Sequence, residues 1–283
     1  MTYSDYMSGD GVTLAVVPTA PERLEEDTRL PVTPGEIAAA VDECAGSGAT
    51  IASVYGWSED AEQSPSALPT VAGAVREAVD DVLVEYAVGP DCRLGDYLDA
   101  IEDDPTPDLA QVRVTPDQYG TRGVTRRSRR DVDRFIEELG RRGIKPNLLV
   151  QSGREVQELY RLLESDVVSD PVVTLRLGAR DGTVATPLTL LASLDALPDA
   201  ATVLVGATGP NQYPLTSMAL FLGAHVRVGM GDNRYLHRDE PVERNQQLVE
   251  RAREVIDNST RPLESFESTT QSFGVERTRI QAP

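Results

Sequence analysis

The sequence predicts an α/β chain folded as one (β/α)8 barrel, and three observations carry that expectation. Eight short runs rich in Val, Ile and Leu, at 12–17, 50–55, 82–88, 109–115, 147–151, 172–177, 202–206 and 225–229, alternate with amphipathic helical segments. The runs are largely continuous in apolar character, the pattern of strands buried on both faces and hence parallel. The length of 283 residues suits a single barrel, which occupies about 250. A doubly wound open sheet built from the same units is the alternative.

The helices announce themselves by their ends. Thr33, Pro34 and Glu36 read as N-cap, N1 and N3 of a capping box. Ser128 or Arg129 opens a helix over 131–142, and Gly143 ends it. Ser152 and Gly153 precede a helix over 154–164, and Thr186-Pro187 repeats the cap-then-proline logic before 188–197. Residues 241–257 read as the final helix. No internal repeat or linker divides the chain, so 1–257 is expected to be the barrel. Residues 258–283 form a polar extension, read as partly mobile or as an oligomer contact.

Composition narrows the function classes. The chain holds 46 acids against 27 bases, a net charge of −19, and Lys145 is its one lysine. Such a surface repels nucleic acid and anionic membranes, so neither is expected as a partner. Acid excess with scarce lysine is the pattern of a halophilic protein. In about 1 M salt the repulsion is screened within about 3 Å. Dilute buffer is then expected to cost structure. Cys44 and Cys92 stand far apart and read as reduced cytosolic thiols. The first residues lack a basic segment followed by an apolar run, and no stretch approaches the roughly 20 apolar residues of a membrane span. A soluble cytoplasmic protein is expected.

The most informative segment is His225-Val226-Arg227-Val228-Gly229-Met230-Gly231-Asp232-Asn233-Arg234-Tyr235-Leu236. It reads as the end of a buried strand that delivers Arg227 and Asp232 into a loop. The block resembles the last strand and loop of the β-keto acid cleavage enzymes, the family of 3-keto-5-aminohexanoate cleavage enzymes and their relatives, where it runs H-V-R-V-G-x-E-D-N-x-Y. The resemblance extends over about 12–275. It includes Val16-Val17-Pro18-Thr19-Ala20-Pro21-Glu22, Leu30-Pro31-Val32-Thr33-Pro34, Gly143-Ile144-Lys145-Pro146, Ala185-Thr186-Pro187 and Gln212-Tyr213-Pro214, in the family's order and spacing.

The resemblance implies a barrel that cleaves β-keto acids with acetyl-CoA as co-substrate. It also implies a zinc ion held by two His of the second strand and a Glu of the last. Here those positions are Ser53, Tyr55 and Gly231, and Leu149 stands where the fifth strand carries an acid. No bound cofactor is therefore expected, and zinc least of all. His225 at a strand start and His237 on a polar stretch are two isolated residues, short of the three ligands a catalytic zinc needs. Lys145 precedes the fifth strand and so lies at the face opposite barrel active sites, which argues against Schiff-base chemistry.

The catalytic candidates are Asp232, Arg227 and Glu22. Against them stand a structural ion pair for the first two and, for Glu22, one more acid in the run 22–27. Tyr55, Trp57, Thr19, Gly206, Thr208 and Asn211 are the substrate-binding candidates, with 206–211 a loop where barrels often bind phosphate. Two readings stand. One is a metal-free, CoA-dependent enzyme acting on a β-keto acid. The other is a non-catalytic barrel that binds a metabolite or pairs with an active paralogue. The resemblance further implies a homo-oligomer, a tetramer.

Overall fold

The computed structural model describes residues 10–22, 29–89, 92–120, 123–180, 182–237 and 239–276. Its barrel strands are β1 (Leu14–Val16), β2 (Ile51–Val54), β3 (Leu83–Tyr86), β4 (Leu109–Arg113), β5 (Lys145–Val150), β6 (Val172–Leu177), β7 (Thr202–Ala207) and β8 (His225–Val228). Each pairs in parallel with its chain neighbours, and β1 closes the ring against β8, so the eight expected strands form a closed barrel. The open-sheet alternative is excluded.

Helices α1 (Pro34–Gly46), α2 (Leu68–Ala78), α3 (Leu94–Glu102), α4 (Arg129–Arg141), α5 (Gly153–Glu164), α6 (Pro187–Asp195), α7 (Gln212–Phe221) and α8 (Asn245–Asp257) lie between and after the strands. The caps act as their sequence implies. Thr33 and Glu36 form a reciprocal capping box on α1, as do Ser128 and Asp131 on α4 and Thr186 and Thr189 on α6. Gly143 sits at φ +71° just past α4, a backbone state that a side chain would disfavour. No helix of the described residues is long and apolar enough to cross a membrane.

Two differences from expectation concern the C-terminal part. The helix expected over 241–257 begins at Asn245, because Tyr235–His237 and Glu240–Pro241 pair as a small antiparallel ladder. The segment beyond it carries one more helix, α9 (Phe266–Ser272). Its neighbour Phe273 is buried in the N-terminal end of the barrel against Ala15, Ile51, Leu83, Leu109, Val172 and Leu204. Arg261 fastens this segment by donating to the carbonyls of Asp10, Gly11, Leu220 and Ala224. Residues 277–283 of the expected extension lie outside the described part.

Strand register arranges the barrel interior in layers. The inward residues of the even strands stack as Ile51, Leu109, Val172 and His225, then Ser53, Gln111, Thr174 and Arg227, then Tyr55, Arg113 and Arg176. Odd strands interleave Ala15, Glu85, Asn147 and Leu204 between the first two layers, then Leu149 and Gly206 above them. The lowest layer, sealed by Phe273, is apolar apart from His225. The upper layers are polar and charged, although the strands' outward faces form the main apolar core.

His225 is structural. Its Nδ1 accepts from the Thr13 backbone N–H at 2.9 Å, and its ring lies 5.2 Å from that of Phe273. Burial pushes its pKa down to about 4, so the neutral imidazole is what the fold holds. Lys145 opens β5 beside Gly274, at the end of the barrel away from the charged layers.

Candidate active site

The charged cluster stands at the C-terminal ends of the barrel strands, where enzymes of this architecture work. Asp232 lies between two guanidiniums. Its Oδ1 is 3.0 Å from Arg176 Nε, and its Oδ2 is 3.3 Å from Arg227 Nε. Arg227 and Asp232 are both buried. Burial works against the Arg227 charge, but Asp232, then Tyr55 and Glu85, outweigh it and hold the guanidinium pKa above its ordinary value. The Tyr55 side chain interacts with the guanidinium, which otherwise makes no hydrogen bond in good geometry. Buried donors without acceptors are costly in a closed protein, and a guanidinium fork so placed suits an incoming oxyanion or carboxylate.

Beneath Arg227 is a buried carboxyl that sequence reading missed. Glu85 is fully buried, accepts from the Ser53 hydroxyl on Oε2 and from Asn147 Nδ2 on Oε1, and Asn147 also donates to Thr174 at 2.9 Å. Burial pushes the Glu85 pKa up, against the Arg227 charge and the bonds from Ser53 and Asn147, which pull it down. Between the ordinary glutamate value of about 4.3 and the raised one, the folded state holds the extra proton, so rising pH costs stability across that window. Glu85→Gln keeps the size and removes the titration. Unfolding midpoints in denaturant from pH 4.5 to 8, in molar KCl, should show a shallower fall for the variant. It should also be at least as stable as the parent at pH 8. An unchanged pH slope would assign the titration elsewhere.

The residues at the family's metal positions do not make a zinc donor set. The Ser53 hydroxyl is engaged with Glu85, and Tyr55 is buried against a guanidinium. Gly231 has no side chain, and the backbone leaves no room for one. A Cβ there would stand 2.3 Å from the Thr19 carbonyl oxygen and 2.5 Å from Val17 Cγ2. A cation in the same layer as Ser53 further disfavours a second one.

The remaining candidates are distributed around this cluster. Gly206 packs on it, since a Cβ there would sit 3.6 Å from Asp232 Oδ2 and 3.7 Å from the Arg227 side chain. Thr19 is buried with its hydroxyl unmatched, and its carbonyl faces Gly231. Trp57 is buried with Nε1 donating to the Ala20 carbonyl at 3.0 Å, which pins the loop after β1. Thr208 donates its hydroxyl to Leu177 O at 3.2 Å, and the neighbouring Gly209 N–H donates to the Asp232 carbonyl at 2.8 Å, so the loop after β7 braces the loop after β8. Asn211 is exposed at the start of α7. Glu22 is exposed as well, and 23–28, the rest of its acidic run, lie outside the described residues. Leu149 is buried in the interior layer above Asn147.

Sequence reading placed one cation, Arg227, at the site; the fold adds two more. Arg176 on β6 pairs with Asp232, and Arg113 on β4 donates to Gln151 Oε1 at 2.9 Å. Two basic residues at the C-terminal ends of otherwise apolar strands were the available signal for them. A glutamate in the middle of Leu83-Val84-Glu85-Tyr86 was the signal for Glu85.

A closed parallel barrel with an arginine–aspartate cluster at the C-terminal ends of its strands defines a TIM-barrel protein whose charged residues stand where such barrels carry their sites. Residues 12–275 match the beta-keto acid cleavage enzyme family, and the chain belongs to it. It is 23% identical over 256 residues to 3-keto-5-aminohexanoate cleavage enzyme of Acetoanaerobium sticklandii, covering 89% of this chain and 94% of that one. The enzyme of the same name from Fusobacterium nucleatum is 24% identical over 230 residues, covering 80% and 84%. Among solved structures, ObcA in binary complex with oxaloacetate superposes with a TM-score of 0.67 at 15% identity, covering 88% of this chain and 68% of that one.

Proposed function

We propose that this chain cleaves a β-keto acid by CoA-dependent acyl transfer without a metal ion. The observation that carries the proposal is Asp232 held between Arg176 and Arg227, with the buried Arg227 guanidinium beside Tyr55 at the C-terminal mouth of the barrel. Asp232 takes a proton from the carbon between the two carbonyls of the substrate. The carbanion attacks the thioester carbon of acetyl-CoA, and CoA leaves as thiolate. The thiolate attacks the substrate's original keto carbon and the carbon–carbon bond breaks. The products are a new acyl-CoA and the enolate of acetoacetate, which recovers the proton from Asp232. Arg227 supplies the positive charge facing the oxyanions, with donors oriented in advance. The ObcA structures with oxaloacetate, and with a C4-CoA adduct and oxalate, support a β-keto acid and an acyl-CoA as the ligand classes.

The acidic, lysine-poor surface supports a working environment of high salt in the cytoplasm, and the family resemblance supports a homo-oligomer, a tetramer. The test is acetoacetate release from a panel of β-keto acids with acetyl-CoA, in molar KCl, with and without a chelator. Turnover that the chelator leaves intact is expected. Loss of turnover with chelator would overturn the metal-free scheme. No turnover from folded protein would turn the assignment to a non-catalytic barrel that binds a metabolite or an active paralogue.

A further inference from the structure

The chain carries a net charge of −19, yet one face of its barrel wall is nearly free of charged residues. Helices α6 and α7 pack side by side on the barrel wall and contain nineteen residues with a single charge, Asp195, in a chain where 26% of residues are charged. By contrast α4, also on the barrel wall, reads Arg-Arg-Asp-Val-Asp-Arg-Phe-Ile-Glu-Glu-Leu-Gly-Arg. The outward positions of α6 and α7 are apolar apart from Asp195 at the end of α6. Leu188 is 75% exposed, and Leu191, Tyr213 and Phe221 are each exposed by 40% or more. Val184, 68% exposed, precedes α6, and Tyr235 extends the patch on the ladder that packs against the start of α7. Six of the seven large exposed hydrophobic side chains among the described residues belong to this face. A helix apolar on its outer as well as its inner side is one that something covers.

We propose that the α6–α7 face, with Val184 and Tyr235, is the surface through which two copies of this chain pair about a twofold axis. Charge selects the occupant. Two chains of net charge −19 repel across most of their surfaces. They approach most closely where each brings the fewest acids, and an isologous pairing of this face, with Asp195 its single helical charge, meets that condition on both sides at once. High salt screens the remaining repulsion and strengthens apolar association. The face also adjoins the site. The loop between β7 and α7 carries Gly209, whose N–H holds the Asp232 carbonyl, so pairing braces the loop that positions the acid. The inference names the surface for the self-association proposed above and is independent of the reaction.

Sedimentation equilibrium in molar KCl tests it. The parent should exceed the 30.7 kDa of one chain. A Leu188→Asp, Phe221→Asp double variant puts like charges across the axis and should weaken association by at least about 100-fold. An Ala39→Asp variant, placed on the exposed side of α1, should leave association unchanged. Unaltered Trp57 fluorescence in each variant would show that the barrel is intact. A parent that stays at single-chain mass would overturn both the face and the oligomer. A parent that associates while the double variant matches it would overturn the face alone. Mass beyond one chain that disappears on delipidation would assign the face to an acyl chain.

Discussion

Asp232→Asn is expected to lower kcat for β-keto acid cleavage by about 10² to 10⁴, the range set by loss of a positioned base. Asparagine keeps the shape but cannot take a proton from carbon. It also removes the negative charge between Arg176 and Arg227, whose nitrogens lie 3.0 and 3.3 Å from the two carboxylate oxygens. Breaking one side of a buried ion pair costs about 3–5 kcal/mol, so the variant should also unfold at lower denaturant concentration. The kinetic effect should persist at every salt concentration at which the protein stays folded. Steady-state kinetics in molar KCl, with unfolding curves on the same samples, separate the two effects. A kcat within tenfold of the parent would remove Asp232 from the chemistry and leave it a structural counter-ion.

Phe273→Ala is expected to destabilise the fold by about 3–5 kcal/mol, the range for deleting a buried aromatic ring. Phe273 is 1% exposed and joins one apolar cluster with side chains from β1, β2, β3, β4, β6 and β7 in the lowest barrel layer. Its removal leaves a cavity that the strands cannot close, since each is fixed by two neighbours in the ring. It also exposes His225 to water from below. The chain should then unfold at markedly lower denaturant concentration, with the charged upper layers unchanged in the native state. A loss below about 1 kcal/mol would mean that the C-terminal helix is not part of the barrel's core.

Much of the architecture was legible because the signals are local. Thr33 with Glu36, and Thr186 before Pro187, cap their helices whatever the remainder of the chain does, and the eight apolar runs report burial on both faces. The errors came where a distant partner decides. The stretch 241–244 resembles helix by its polar pattern, but Pro241 is drawn into a ladder with Tyr235. The polar segment after residue 257 gave no hint that a single phenylalanine, set among Ser, Thr and Glu, would seal a barrel.

The same division runs through the site. Arg227 and Asp232 are close in sequence, so a turn at Gly229 suffices to join them, and the motif exposes both. Glu85, Asn147 and Thr174 come from three strands and mean nothing as a group until the ring closes. Arg176 and Arg113 likewise face the interior only because the register of β4 and β6 turns them inward. The sequence by itself determined the eight-unit barrel, most of the helix ends, the excess of acids and the family. Only the tertiary structure decided that Asp232 stands between two arginines, that a glutamate lies buried beneath them, and that no side chain fits at Gly231. Chain pattern records which residues are buried. Which of them meet depends on strand register around a closed ring, a property of the whole chain.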